Sequence, residues 1–269
     1  MNPAPAGARL RILIPVTGAF HGRLRLRRTT GTLDTEGLER VLSRESAQAI
    51  ALAKQLQGTG AAAGAELVAV HVDKGAGEEV LREALAHGVD QGILIEGAKH
   101  GESDASTRAA TIADVYSQHG PFDAVVGPAR SEFAGFTGAL AAVAGQLELP
   151  CVVGVSRIEG DAQAKGGGFR IAYQSLFGDY DLRIPRPCVV LAGDIQPSHP
   201  SAWGIHDAWR VRGLLKVQAD QYAVARALTK RLRIEAVARE THAMEPVDGA
   251  TLVRRMRSRG LIPERRGKE

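Results

Sequence analysis

The chain has 269 residues, 44% of them hydrophobic, which is enough for one large α/β domain with an appendage or for two small domains. The aromatic content of 4% argues against an aromatic binding surface, and no apolar run approaches the roughly 20 residues that cross a membrane as a helix. The net charge of +4 is uneven, because residues 209–269 hold 15 Lys or Arg against 7 Asp or Glu. We therefore expect a cytoplasmic protein without membrane insertion, whose basic tail lies on a partner protein rather than on nucleic acid.

Strand and helix patterns alternate through the first half of the chain. Strands are predicted over 10–16, 66–72, 92–95 and 123–127, and helices over 43–57, 77–87, 103–119 and 132–147. A short edge hairpin is predicted around a turn at 29–31. The first helix is capped by Thr35 or Ser43 and the third by Ser103 or Asp104, while Gly88 ends the second. This alternation predicts an α/β fold with a doubly wound, mostly parallel sheet.

The period of the pattern changes after the strand predicted at 151–155. Segments 155–159, 169–175 and 180–184 predict a small antiparallel excursion, and 188–192 returns to a buried strand. Cys151 and Cys188 each follow a proline and open a Cys-Val-Val run, so both are expected to be reduced thiols in buried strands, with no metal site. Beyond residue 193 only 220–232 and 249–259 have helical spacing. We therefore expect a domain over 1–193 and an extended C-terminal arm over 194–269 that packs on another protein.

The unit over 121–153 points to the chemistry of the chain. It reads strand, glycine-rich turn, helix, strand, and in a parallel sheet such a turn favours an anionic ligand such as a nucleotide phosphate. Arg130 follows the strand and is placed to reach a phosphate. We find no nucleotide-binding glycine fingerprint and no nucleophile–base constellation, and His71 is expected to serve packing. The residues predict binding, and not catalysis by side chains.

Eight landmarks in the same order give the chain a resemblance to the beta subunit of electron transfer flavoprotein. They lie at 11–16, 66–72, 79–90, 123–127, 147–150, 187–194, 199–208 and 248–262. The resemblance implies a fold of the Rossmann-like, adenine-nucleotide alpha hydrolase-like type. It also implies a heterodimer with an alpha subunit that holds most of the FAD, onto which the C-terminal arm of the beta subunit wraps. The beta nucleotide site of the family holds AMP, or a second FAD in bifurcating members.

The resemblance also implies the residues of the nucleotide site. The family motif Asn-Pro-Phe-Asp/Cys-Glu is replaced here by Ser43-Arg44-Glu45-Ser46-Ala47, and the family's Lys, Asp run and Gln are missing from the turn after 127. These departures favour AMP over a second FAD. The expected cofactor-binding residues are Pro15, Ser43, Ser46, Val72, Gly127, Arg130, Gly135, Thr137 and Gly138.

The partner-docking loop of the family differs as well. Its anchoring Leu corresponds to Ala202, which is too small to anchor, and Trp203 beside it is expected either to replace the anchor or to pack on its own arm. The sequence thus predicts a carrier subunit, not an enzyme. It would pass electrons from a flavin-linked dehydrogenase, by analogy one that oxidises methylated amines, to an iron–sulfur or quinone oxidoreductase of the membrane. The alternative is a stand-alone adenine-nucleotide-binding protein of the stress-protein or ATP-pyrophosphatase-like class.

Overall fold

A computed structural model of the chain describes residues 9–27, 32–58, 64–73, 77–96, 104–131, 138–161, 163, 167–175, 177–197, 214–218 and 248–258. The strands are β1 (Arg11–Pro15), β2 (Gly18–His21), β3 (Arg25–Arg27), β4 (Thr32–Asp34), β5 (Glu39–Leu42), β6 (Glu66–Asp73), β7 (Gln91–Glu96), β8 (Ala124–Pro128), β9 (Cys151–Asp161), β10 (Gly168–Ser175), β11 (Gly178–Pro185), β12 (Cys188–Ala192) and β13 (Leu214–Gln218). The helices are α1 (Arg44–Gly58), α2 (Glu78–Ala86), α3 (Ala105–His119), α4 (Ala139–Gln146) and α5 (Gly249–Ser258).

One sheet of nine strands organises the fold, in the order β11-β10-β9-β12-β8-β1-β6-β7-β13. The strands β9, β12, β8, β1, β6, β7 and β13 are each parallel to the next strand in this order. At the other edge, β10 pairs antiparallel with both β9 and β11. The predicted α/β fold, with its mostly parallel sheet and its antiparallel excursion, is confirmed. The excursion begins inside a single long strand, because β9 pairs with β12 on one side and with β10 on the other.

Helices cover both faces of the sheet, as the doubly wound prediction requires. Alternate residues of each strand point to opposite faces. Ile12 and Ile14 of β1 face a core formed with α1 and α2, whereas Leu13 faces a second core formed with α3 and α4. Because both faces are buried, the central strands read as continuous apolar runs instead of alternating ones.

The helix boundaries agree with the capping signals, with one exception. Ser43 precedes α1, and its Oγ accepts from Ser46 N at 3.2 Å. Asp104 caps α3 by accepting from Thr107 N at 3.0 Å. The exception is the helix predicted over 132–147, of which residues 132–137 lie outside the described residues. Helix α4 spans Ala139–Gln146, and Gly138 before it has a φ of +84°, outside the range of an α-helix.

The prediction that both cysteines lie in buried strand positions is half wrong. Cys188 is fully buried, but Cys151 is exposed. Cys151 and Val153 lie two residues apart on one face of β9, and Val153 is 53% exposed. This face of β9 is open to solvent, so the Cys-Val-Val run marks a strand without marking its burial.

Two small sheets accompany the main one. The predicted hairpin is present as β3 paired with β4, in a two-stranded sheet of its own and not at the edge of the main sheet. The pairing of β2 with β5 was not predicted. Both are antiparallel, and β2 and β5 lie between the end of β1 and the start of α1.

Strand β13 was also not predicted. It pairs parallel with β7, so a segment of the predicted arm lies in the main sheet. The chain divides into two units, 1–233 and 234–269, and α5 belongs to the second. The helix predicted over 220–232 lies outside the described residues. Among the described helices, none is long and apolar enough to cross a membrane.

Candidate functional site

The order of the strands locates the candidate site. From β1 the sheet grows through β6 and β7 in one direction, and through β8 and β12 in the other. The neighbours β1 and β8 therefore form the topological switch point, where the loops leave in opposite directions and open a crevice at the carboxyl ends of the strands. Pro15 ends β1 and Pro128 ends β8, and both are buried. We call the space beyond these two strand ends the switch-point crevice.

Two of the predicted site residues lie at the edge of this crevice. Pro15 pairs with Val70 in the parallel register of β1 and β6, and Val16 N donates to Val70 O at 2.9 Å. Val72, only 8% exposed, is two residues further along β6. Pro15 and Val72 are thus brought together at neighbouring strand ends, and their contact with a cofactor remains a prediction.

The hydroxyls of Ser43 and Ser46 are engaged with each other and with Thr17. Thr17 Oγ1 lies 2.8 Å from Ser43 Oγ, Ser43 Oγ donates to Ser46 Oγ at 2.9 Å, and Thr17 N donates to Ser46 Oγ at 2.9 Å. All three residues are buried. This hydroxyl cluster joins the segment after β1 to the start of α1. It therefore fixes the position of the start of α1 relative to the end of β1, which borders the crevice.

The residues predicted between 127 and 138 are spread over different structures. Gly127 lies inside β8 and is buried; a Cβ there would lie 2.2 Å from Leu140 Cδ1, so the missing side chain makes room for α4. Arg130 is exposed two residues after β8. Gly138 immediately precedes α4, whereas Gly135 and Thr137, like the predicted docking residues Ala202 and Trp203, lie outside the described residues.

Three basic side chains from different elements influence one another near the carboxyl end of β6. Burial, together with the charges of Arg40 and Arg108, lowers the pKa of His71 to about 4. Burial also lowers the pKa of Arg108, and the charge of Arg40 adds to this. His71 Nδ1 donates to Val16 O at 2.9 Å. The charge of Glu79 acts on Arg40 in the opposite sense. The guanidinium groups of Arg40 and Arg108 lie in a partly desolvated setting, in which a guanidinium group interacts strongly with an anion.

Arg40 and Arg108 were not predicted as site residues. Arg40 lies in β5 and Arg108 in α3, about a quarter of the chain apart in sequence. Their proximity follows from tertiary packing around β6, for which no local sequence signal exists. His71 was expected to serve packing, and its burial agrees with that expectation.

A hydrogen-bonded group that includes a carboxylate lies on the β12 side of the crevice. Gln48 Nε2 donates to Asp194 Oδ1 at 3.0 Å and to Ile195 O at 2.7 Å, joining α1 to the segment after β12. The start of α1 is therefore connected to the end of β1 through Ser46 and to the segment after β12 through Gln48. Glu45, the residue before Ser46, is half-buried.

This geometry suits the binding of a ligand with both anionic and hydrogen-bonding groups. Basic side chains gather near β6, hydrogen-bonded hydroxyls stabilise the end of β1, and the carboxylate of Asp194 lies just after β12. Among the described residues, no group of His, Cys, Asp and Glu is arranged to hold a metal ion. The sheet, its two helical layers and the crevice at the switch point define a Rossmann-like α/β protein.

Comparison with known families gives a more specific answer. Residues 30–194, more than half of the chain, match the model of the Electron transfer flavoprotein domain. The chain therefore belongs to the electron transfer flavoprotein family, and the resemblance inferred from the sequence is confirmed at the level of the family. Proteins of this family are flavin-associated electron carriers that work with partner subunits and dehydrogenases. The comparison with curated proteins gave no match.

Proposed function

We propose that the chain is the beta-type subunit of an electron transfer flavoprotein. The family match carries this proposal, and the order of the sequence landmarks supports the choice of subunit. Three of those landmarks, at 11–16, 199–208 and 248–262, lie outside the matched region. The protein would work as a heterodimer with an alpha-type subunit and would be an electron carrier, not an enzyme by itself.

The nucleotide site of this subunit is the switch-point crevice, and AMP is the ligand we propose for it. The basic groups of Arg40 and Arg108 suit the phosphate, with Arg130 as a further candidate on the β8 side. Pro15 and Val72 offer apolar strand ends to the base. In this proposal Ser43 and Ser46 position β1 through Thr17, since their hydroxyls already hydrogen bond within the protein. Gly127 and Gly138 set the position of α4.

FAD is the second cofactor, held mainly by the alpha-type subunit, and when bound it takes up and releases electrons reversibly. The described residues of this chain provide the nucleotide-binding scaffold beside it. Electrons would come from a flavin-linked dehydrogenase, by analogy one of methylated-amine catabolism, and go to an iron–sulfur or quinone oxidoreductase. Trp203 is the candidate contact with the dehydrogenase.

The second unit supports the heterodimer. Asp248 caps α5 by accepting from Thr251 N at 3.0 Å. Leu252 and Val253 on this helix are 48% and 38% exposed, next to Arg254 and Arg255. Neighbouring large apolar residues on an exposed basic helix are typical of a surface that a partner covers.

The test is to co-express the chain with an alpha-type subunit and to purify the product. We expect a yellow complex with one FAD per heterodimer and one AMP released on denaturation, identified by chromatography. The chain expressed alone is the control and should be colourless. A monomer that ignores the alpha-type subunit and binds ATP by itself would contradict the proposal and favour the stand-alone nucleotide-binding protein.

A further inference from the structure

The chain between β1 and α1 forms a β-ribbon with two halves. In the inner half β2 pairs with β5, and in the outer half β3 pairs with β4. The connections between the halves differ in length, because they comprise residues 22–24 on one strand and 35–38 on the other. Gly22 and Gly37 lie in these connections with φ values of +125° and +72°, a region that favours glycine. The regular pairing of the ribbon is therefore interrupted between its halves.

Only the inner half is firmly attached to the body of the protein. A Cβ on Gly18 of β2 would lie 2.8 Å from Val80 Cγ2 of α2, and Leu42 N of β5 donates to Glu83 of the same helix. Among the described helices and strands, β3 and β4 pack substantially only on each other. Because a two-stranded hairpin is marginally stable by itself in water, a further surface that covered the outer half would stabilise it.

The two sides of the outer half differ in character. On one side, Leu26 lies opposite Leu33, and both are half-buried. Neither belongs to the two cores of the described chain, and the nearby Leu24 is 37% exposed. Arg25 and Arg27 lie on the other side, because side chains alternate along a strand, and both are exposed. The outer half therefore presents arginines on one side and incompletely covered leucines on the other.

The charges of the outer half leave an excess of arginine. Arg27 donates to Asp34 at 2.8 Å and to Glu36 at 2.9 Å, so both of these carboxylates already have a basic partner. Arg25 lies opposite Asp34 in the pairing, and Arg23 precedes β3. Both are exposed, and neither forms a salt bridge with another residue in the described part of the chain. Three guanidinium groups thus lie beside two carboxylates.

An exposed surface with excess positive charge fits an acidic partner that binds transiently. Subunits that stay together bury mainly apolar surface, whereas electron-transfer encounters use small interfaces. Complementary charges on two proteins also speed up their encounter. Members of this family are electron carriers that work with dehydrogenases. The arginines of the outer half therefore fit an acidic surface of the electron donor better than they fit a permanent subunit interface.

We infer that the outer half of the ribbon, β3 with β4, is a docking surface for an acidic patch on the flavin-linked dehydrogenase that reduces the complex. Arg23 and Arg25 are the residues that contact the acidic patch. This inference rests on the proposed electron-carrier function and adds a contact surface separate from Trp203. It does not depend on the proposed AMP site.

The experiment measures how fast a flavin-linked dehydrogenase of methylated amines, reduced by its own amine substrate, reduces the FAD of the purified heterodimer. Stopped-flow absorbance gives the second-order rate constant at about 20 mM and about 200 mM NaCl. At the lower salt concentration, the double variant Arg23→Glu with Arg25→Glu should react about tenfold or more slowly than the wild type. Its rate should also decrease less as salt is added. Arg23→Lys with Arg25→Lys keeps both charges and should retain most of the wild-type rate.

Arg170→Glu with Arg183→Glu is the matched control. It changes the net charge by the same amount at exposed positions of β10 and β11 and should keep the wild-type rate. If the double Glu variant at 23 and 25 has the wild-type rate and salt dependence, the inference is wrong, while the electron-carrier function stands.

Two further outcomes would also overturn the inference. If the double Glu variant at 23 and 25 does not assemble with the alpha-type subunit, the outer half belongs to the subunit interface and not to the donor contact. If the dehydrogenase does not reduce the FAD of the wild-type heterodimer, both the proposed electron donor and the inference fall.

Discussion

His71 is the residue at which the structure couples folding most directly to pH. Its ring is buried in β6, and Nδ1 carries the proton of the neutral form, because Val16 O can only accept. Burial, with the charges of Arg40 and Arg108, lowers its pKa from 6.5 to about 4. The unfolded chain therefore binds a proton at His71 that the folded chain does not, between pH 6.5 and about 4. Stability should fall as the pH is lowered through this window, by about 3 kcal/mol in all.

His71→Asn tests this coupling. The amide of Asn can take the place of Nδ1 as a donor to Val16 O but does not titrate. We expect the variant to be less stable at pH 7, because the smaller side chain leaves space. Its free energy of unfolding, measured by urea denaturation from pH 7 to 4, should decline less steeply than that of the wild type. His21→Asn, at an exposed position of β2, is the control and should keep the wild-type slope; an equally steep decline in His71→Asn would refute the assignment.

The packing of β8 against α4 depends on one glycine. A Cβ on Gly127 would meet Leu140 Cδ1 at 2.2 Å, and Leu140 is itself only 2% exposed, so the core has little space in which to yield. We expect Gly127→Ala to lower the free energy of unfolding by about 1–3 kcal/mol, as overpacked core positions do.

Gly145 provides the comparison within the same unit. It is exposed in α4, and a Cβ there would meet no atom within 4 Å among those described. Gly145→Ala should therefore stabilise the chain by up to about 1 kcal/mol, since alanine is the better helix former. Thermal or urea unfolding of the two variants should move in opposite directions; a stability loss in Gly145→Ala as large as that in Gly127→Ala would contradict this account of the β8–α4 contact.

At the level of elements, local patterns predicted most of the structure. Apolar runs located the central strands, and of the two caps proposed for each helix, Ser43 precedes α1 and Asp104 caps α3. The errors arose where the outcome depends on distant parts of the chain. Cys151 follows the same local pattern as Cys188, but whether a strand is covered depends on which helix lies above it. Similarly, the residues of β13 become a strand only through pairing with β7.

The candidate site was predicted less completely, for the same reason. Pro15 and Val72 came from the family resemblance, and the structure places both at the carboxyl ends of neighbouring strands, while their contact with a cofactor stays a prediction. Ser43 and Ser46 were expected to face a ligand, although their hydroxyls bond within the protein, and spacing alone cannot distinguish these cases. Arg40 and Arg108 were not found, because the chain brings them together only after β5, β6 and α3 have packed.

For the molecule as a whole, α5 offers a test of the proposed heterodimer. Leu252→Asp places a charge in its exposed apolar pair, and we expect binding to the alpha-type subunit to weaken by about tenfold or more, as at an interface hot spot. Ala250→Asp adds the same charge at another exposed position of the helix and serves as the control. The affinities can be compared by surface plasmon resonance with the alpha-type subunit immobilised. Equal affinity of Leu252→Asp and the wild type would exclude this pair from the interface.

The pairing of β13 with β7 has a consequence for any attempt to shorten the protein. The matched family region ends at 194, yet residues 214–218 complete the sheet beside β7. An excised fragment that stops at 193 would leave the backbone of Ile93, Leu94 and Ile95 open along one side. Bare hydrophobic strand edges recruit other chains and lead to aggregation. Proteolysis between β12 and β13 would therefore threaten solubility as much as assembly.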